Sequence, residues 1–170
     1  MLPETDGLIF VYTGEGCVDC STTVGHALSA MAAGQRVFMA QFGRSGWDPV
    51  LTILEGFSET VVSRHYINGP TEEALPDDLR NAQAGLAEIQ QALCSGDYSP
   101  VILDGANRAV CFGLLSVGDL LTLIGRKPKH VQLIITGACA DPRIIQRADR
   151  VIEMNRVKDV ARSAKKIEGG

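Results

Sequence analysis

Apolar residues in this chain fall into two kinds of stretch, short continuous runs and helically spaced stripes, and the two alternate. Leu8 to Tyr12 is a continuous apolar run, as expected of a strand buried on both faces. It stops at Thr13-Gly14-Glu15-Gly16. A helical pattern then runs from about Ser21 to Ala33, with Val24, Ala27, Leu28 and Met31 on one face and Gly34 as its C-cap. Val37 to Phe42 is a second buried strand. Strand, helix and strand within about 35 residues predict one right-handed crossover unit. Residues 43–56 read as a loop marked by Gly43, Gly46 and Pro49, with a short helix near Leu51, Ile53 and Leu54 and a core position for Trp47. Residues 60–63 predict a short strand, and residues 68–78 an exposed loop.

The second half is more regular. Leu79, Ala82, Leu86, Ile89 and Leu93 recur at helical spacing, with Asp77 or Asp78 as the cap and Gly96 beyond the end. Residues 100–104 predict a short buried strand ending in Asp104. Ser116 opens a helix with Asp119 at capping-box spacing and Val117, Leu120, Leu121 and Ile124 on its buried face. Residues 131–136 predict a strand broken by Gly137. Asp141-Pro142 starts another helix, with Ile144, Ile145 and Ala148 inward, and residues 150–154 the last strand. This alternation predicts an α/β fold, a doubly wound, mainly parallel sheet with helices on both faces. Ligands of such sheets sit at the carboxyl ends of the strands.

Composition narrows the classes. The 170 residues suit a single domain, 1–170, with residues 1–7 and 157–170 as flexible ends. A net charge of −4 and few aromatics give no argument for nucleic acid. No apolar run reaches membrane-spanning length, and the N-terminus lacks a basic region followed by an apolar stretch. A cytoplasmic protein is the expectation. Five cysteines, an odd number, do not suggest a disulfide framework.

The strand, glycine turn and helix start at residues 8–23 form the scaffold of a phosphate-binding loop. Further motifs follow in order: GHALSAMAAGQRVFMAQF at 25–42, YSPVILD at 98–104, Gly113-Leu114-Leu115, Arg126-Lys127-Pro128, IITG at 134–137, ADRVIEM at 148–154, and Val157-Lys158. Together they resemble the P-loop corrinoid adenosyltransferases, which move the adenosyl group of ATP onto the cobalt of a reduced corrinoid such as cob(I)alamin or cob(I)yrinic acid a,c-diamide. The resemblance implies a P-loop NTPase-like, RecA-like domain, ATP with Mg2+, a corrinoid substrate and a homodimer. It places nucleotide binding at Thr13, Gly14, Glu15, Gly16, Asp19, Cys20, Ser21 and Asp104, and corrinoid handling near His65 and Tyr66.

The departures fall on the working residues of that family. Its loop reads glycine, any residue, glycine, lysine, glycine, lysine, threonine. Here Cys17 replaces the first lysine, Val18 a glycine, Asp19 the phosphate-binding lysine and Cys20 the magnesium-binding threonine. Lysine to aspartate changes the local charge by two units, and each unit is worth roughly 1 kcal/mol at ~4 Å in water. Gly105 stands where a magnesium-holding glutamate follows the aspartate. Ala138 stands where an arginine approaches the phosphates, and Asp159 where a histidine is expected.

Three functions are therefore open. An adenosyltransferase that still works would need another cation, from Arg44, Arg64 or Arg108. A relative with adenosyl transfer lost or altered would keep a binding or regulatory role. Alternatively Cys17, Cys20 and Cys139, with Asp104, would form a zinc, iron or thiol-redox site in the former phosphate pocket.

Overall fold

The apolar runs become strands and the stripes become helices. In a computed structural model the described residues are 7–15, 21–43, 52–54, 56–57, 59–67, 73 and 75–158, with Ser21 described in its backbone only. The elements are β1 (Ile9–Thr13), α1 (Ser21–Ala32), β2 (Val37–Phe42), β3 (Val61–Ile67), α2 (Pro76–Ser95), β4 (Val101–Asp104), α3 (Ala106–Cys111), α4 (Val117–Arg126), β5 (Leu133–Thr136), α5 (Pro142–Arg147) and β6 (Arg150–Glu153). The six strands form one sheet in the order β3-β2-β4-β5-β1-β6, and every pairing is parallel. The doubly wound α/β architecture expected from the alternation is present.

Strand and helix ends follow local chemistry. Gly34 and Gly96 adopt left-handed φ values of 73° and 74°, the conformation that terminates a helix. Asp78 accepts from the Leu75 amide at 2.9 Å and fixes the start of α2. Ser116 and Asp119 form the reciprocal cap of α4, at 3.1 and 2.8 Å. Asp141 accepts from the Arg143 amide at 2.9 Å and opens α5, with Pro142 in its first turn. Lys127 Nζ donates to the carbonyls of Gly7, Pro128 and Val131, which ties the entry of β1 to the entry of β5.

Alternate side chains of the strands fill two cores. Phe38, Ala40, Phe42, Leu103, Leu133 and Ile135 pack with residues of α2 to α5 on one face. Met39, Ile102 and Ile134 pack with Val24, Ala27 and Ala30 of α1 on the other.

Several expectations shift. β1 and β2 are not neighbours, because β5 and β4 lie between them. β3 runs to Ile67, further than the short strand expected. Only one narrow face of α1 meets the sheet, so Leu28 is 51% exposed rather than inward. On α2 the buried stripe is Ala82, Gly85, Ile89, Ala92 and Leu93, and Leu79 in the first turn is 40% exposed. Ile145 is also exposed, while its neighbour Ile144 is fully buried. The six-residue helix α3 has no counterpart in the sequence pattern. The expected loop at 44–51 with Trp47, the loop residues 68–72, and the ends 1–6 and 159–170 lie outside the described residues. No helix among the described residues is long and apolar enough to cross a membrane.

Candidate functional site

The chain leaves β1 toward the α1 face and leaves β5 toward the opposite face, where Ile144 of α5 is buried. Adjacent parallel strands whose connections diverge leave a crevice at their carboxyl ends. The ends of β1, β5 and β4 line it. Thr13, Gly14 and Glu15 follow β1, Thr136 and Gly137 end β5, and Asp104 and Gly105 end β4. Residues 16–20, and with them Gly16, Cys17, Asp19 and Cys20, lie outside the described residues. Ser21 begins α1.

Hydrogen bonds join the three strand ends. Thr136 Oγ1 donates to Asp104 Oδ1 at 2.9 Å and accepts from the Gly105 amide at 3.1 Å. Asn107 is fully buried on α3, and its Nδ2 donates to the carbonyls of Tyr12 at 3.3 Å and Gly137 at 3.1 Å. Thr13 Oγ1 accepts from the Ala140 amide at 3.1 Å. Gly14 has φ 97°, and a Cβ there would lie 2.5 Å from the Met154 carbonyl oxygen. The first glycine of the loop is thus required by its close approach to the chain after β6.

Gly105 has equally little freedom. Its φ is 77°, and a Cβ built on it would lie 2.4 Å from the Phe42 carbonyl oxygen. The position that carries a glutamate in the resembled pattern has a backbone here that only glycine suits. Asp104 is 6% exposed and bonded to Thr136. At this one position the described geometry fits a second magnesium-holding carboxylate poorly. At the end of β4, among the described residues, the Asp104 carboxylate is engaged in an internal hydrogen bond, and the Gly105 backbone beside it is strained and crowded for any side chain. Ala138 follows Gly137 and offers no cation.

His65 and Tyr66 are not brought together. They are successive on β3 and point to opposite faces. Tyr66 is 8% exposed, its ring lies against Phe42, and its hydroxyl donates to Glu88 Oε2 at 2.8 Å. Burial and the Glu88 carboxylate raise its pKa. His65 is exposed and lies in register with Gln41. Of the cations considered, Arg64 pairs with Glu88 at 2.8 Å on the flank of α2, and Arg108 stacks over the Phe112 ring at 5.7 Å. Arg44 lies outside the described residues.

Cys139 and Cys111 are both exposed, and the influence of Cys139 raises the Cys111 pKa. The expected partners of Cys139, namely Cys17 and Cys20, lie outside the described residues. No group of three or more His, Cys, Asp or Glu side chains converges on a metal-binding arrangement among the described residues. Sequence reasoning missed Asn107 and Cys111, both on the unforeseen α3. A short helix with glycine as its only cap leaves little signal. The buried acceptors Gln41 Oε1 and Asn107 Oδ1 have no hydrogen-bond partner among the described residues.

The family described as ATP:corrinoid adenosyltransferase BtuR/CobO/CobP matches residues 5–170. A corrinoid adenosyltransferase of Pseudomonas aeruginosa is 28% identical over 167 residues, which cover 96% of this chain and 82% of that protein. The corrinoid adenosyltransferase CobA of Salmonella typhimurium is 26% identical over 171 residues, covering 98% of this chain and 86% of the relative. A corrinoid adenosyltransferase of Escherichia coli K12 is 25% identical over 154 residues, covering 89% and 78%. The chain belongs to the ATP:corrinoid adenosyltransferase family.

Proposed function

We propose that this member of the corrinoid adenosyltransferase family has lost ATP-dependent adenosyl transfer and serves as a corrinoid-binding protein. The observation that carries this reading is Gly105. Its backbone is left-handed, and any Cβ there would lie 2.4 Å from the Phe42 carbonyl oxygen. That leaves no room for the glutamate that would hold Mg2+ beside Asp104. The loop sequence points the same way. Aspartate for lysine at residue 19 reverses a charge beside the triphosphate. Two charge units at ~4 Å cost roughly 2 kcal/mol even with water-like screening, about thirtyfold in Kd. Valine at residue 18 adds a Cβ where backbone must approach phosphate.

Under this reading the protein is a single-domain cytoplasmic homodimer. The corrinoid occupies the crevice at the carboxyl ends of β1, β4 and β5, and His65 is the exposed imidazole nearest the stretch where the resembled family handles its corrinoid. Sedimentation at micromolar concentration checks the dimer.

Three measurements on reduced protein test the function: calorimetric titration with Mg2+-ATP, titration with hydroxocobalamin followed by absorbance, and an adenosylation assay with cob(I)alamin. The expected results are no micromolar Mg2+-ATP binding, a saturable corrinoid signal and no adenosylated product. A Cys17→Lys, Val18→Gly, Asp19→Lys, Cys20→Thr variant should gain nucleotide affinity without gaining turnover. Micromolar Mg2+-ATP binding together with product from the wild type would overturn the reading. Absence of corrinoid binding would remove the proposed ligand.

A further inference from the structure

A cavity of about 310 Å³ lies at the amino edge of the sheet, between the later half of α1 and the starts of β1, β5 and β6. Small-molecule pockets begin at about 300 Å³. This is a different place from the crevice, since Phe10 on its wall and Thr13 are three strand residues, ~10 Å, apart along β1. The cavity arises from a change of residue type on one sheet face. Ile102 and Ile134 of that face pack on Val24, Ala27 and Ala30 of α1. Gln132, two residues before Ile134, shares the face by alternation, and Arg150 of β6 lies in register with Phe10. α1 meets these two polar positions with His26 and Ser29. A helix-covered face of a parallel sheet is ordinarily apolar throughout. Here polar side chains from both layers border a recess, and Leu8, Phe10 and Ala30 supply its apolar wall.

The charge of the recess is one-sided. Among the described residues, Arg150 is the one Arg, Lys, Asp or Glu side chain that lines it. Its guanidinium carbon lies 5.6 Å from the centroid of the Phe10 ring, a cation–π contact that holds the head without consuming an N–H donor. Arg150 has no ion-pair partner among the described residues. The carboxylate of Asp149 accepts from the Ile9 amide at 2.7 Å and does not line the cavity. The wall is also held in position. The Tyr12 hydroxyl and His26 Nε2 are hydrogen-bonded at 2.8 Å, and the His26 and Phe10 rings lie 5.4 Å apart between centroids. Ser99 Oγ accepts from the Gln132 amide at 3.1 Å, which ties the entry of β4 to the entry of β5. A wall fixed in this way lowers the ordering cost of binding.

We propose that this amino-edge cavity is a binding site for a small hydroxylated monocarboxylate. The Arg150 guanidinium takes the carboxylate through charge-assisted N–H donors. Ser29, Gln35 and Gln132 are neutral hydroxyl and amide groups on the same wall, suited to the ligand's hydroxyl groups. Phe10, Leu8 and Ala30 meet its carbon skeleton. One arginine among neutral neighbours matches a single negative charge, whereas a phosphate dianion would bring a second charge with no partner. The site is separate from the crevice at the carboxyl edge, so its occupancy is independent of whether nucleotide or corrinoid binds there.

The test is an amide-resolved NMR titration of the full, 15N-labelled chain with gluconate, against sodium chloride at matched ionic strength. Hexanoate, which keeps the charge and chain length but lacks the hydroxyls, and inorganic phosphate are titrated in parallel. Gluconate should give saturable shifts grouped at the Leu8, Ser29, Gln132 and Arg150 amides, with Gly14, Gly105 and Gly137 at the other edge unmoved. Hexanoate and phosphate should each bind at least tenfold more weakly at these positions. Arg150→Gln removes the charge and Ser29→Leu fills the recess, both at exposed positions. Each should weaken gluconate at least tenfold while the dispersed spectrum shows an intact fold. Shifts that do not saturate, shifts confined to the carboxyl edge, equal affinity for hexanoate or phosphate, or unchanged gluconate affinity in either variant would each overturn the proposal.

Discussion

Replacing Gly105 with alanine isolates the feature on which the reading of the metal position depends. Two costs add. An L-residue at φ 77° pays about 1–2 kcal/mol for the left-handed conformation. The added Cβ would also lie 2.4 Å from the Phe42 carbonyl oxygen, well inside normal contact. That oxygen belongs to backbone at the end of β2, which pairs with β4 up to Gln41 and Asp104, so it cannot swing aside as a flexible side chain would. Relieving such overpacking costs about 1–3 kcal/mol. The sum is about 2–5 kcal/mol. With a urea m-value of about 2 kcal/mol/M, the unfolding midpoint of Gly105→Ala should fall by roughly 1–2.5 M at unchanged slope, read by circular dichroism. Gly105→Glu carries the same Cβ and should unfold at least as readily. If Gly105→Ala instead unfolds within about 0.3 M of the wild type, corresponding to less than about 1 kcal/mol, the backbone accepts a side chain. A single substitution would then rebuild the missing carboxylate, and the geometric case against a magnesium site would fail.

Three further perturbations probe the elements around the crevice. A Cβ on Gly85 would meet the Tyr66 ring at 2.5 Å, so Gly85→Ala should lose about 1–3 kcal/mol, and the loss should largely vanish in a Tyr66→Leu background; a penalty that persists there would clear the ring of blame. Thr136→Val keeps the shape but removes the hydroxyl shared by Asp104 and the Gly105 amide, which should cost about 1–3 kcal/mol in thermal melting, with Thr136→Ser close to wild type. Burial lowers the His26 pKa below its ordinary 6.5, so its contribution to stability is present above that value and is lost as pH falls through the folded pKa. Urea titrations across about pH 5 to 8 should show stability falling on the acid side, with a weaker slope in His26→Gln; an unchanged slope would assign the acid sensitivity to other groups.

The periodic elements were legible because burial on a parallel sheet writes itself into continuous apolar runs. Leu8 to Tyr12, Val37 to Phe42 and Val131 to Thr136 all read as strands; the second has the observed bounds, and the ends of the other two are displaced by one or two residues. Caps built from local hydrogen bonds, such as Ser116 with Asp119, were legible for the same reason. Strand order was not. The pairing of β1 with β5 and β6 depends on contacts between residues far apart in sequence. The edges of helix faces were also blurred. Ala27 and Leu28 differ by one step around α1, yet one is fully buried and the other half exposed. At the candidate site, Thr136 and Asp104 stood out as strand ends. Asn107 and Cys111 did not, because a short helix after an uncapped glycine has no periodic signature.

The contacts that hold this carboxyl edge together are separate from the side chains that a phosphate would need. Gly14 is fixed by its approach to the Met154 carbonyl, Thr13 by the Ala140 amide, Gly137 by Asn107 and Asp104 by Thr136. None of these partners belongs to the loop positions where lysine, glycine and threonine have been replaced. The same separation explains why whole-chain similarity establishes the family while saying less about the reaction. Gln41 Oε1 and Asn107 Oδ1, buried without partners among the described residues, remain in the β2 and β4 region, and each leaves about 1–3 kcal/mol of desolvation uncompensated. A fold under selection for stability alone would gain by replacing them.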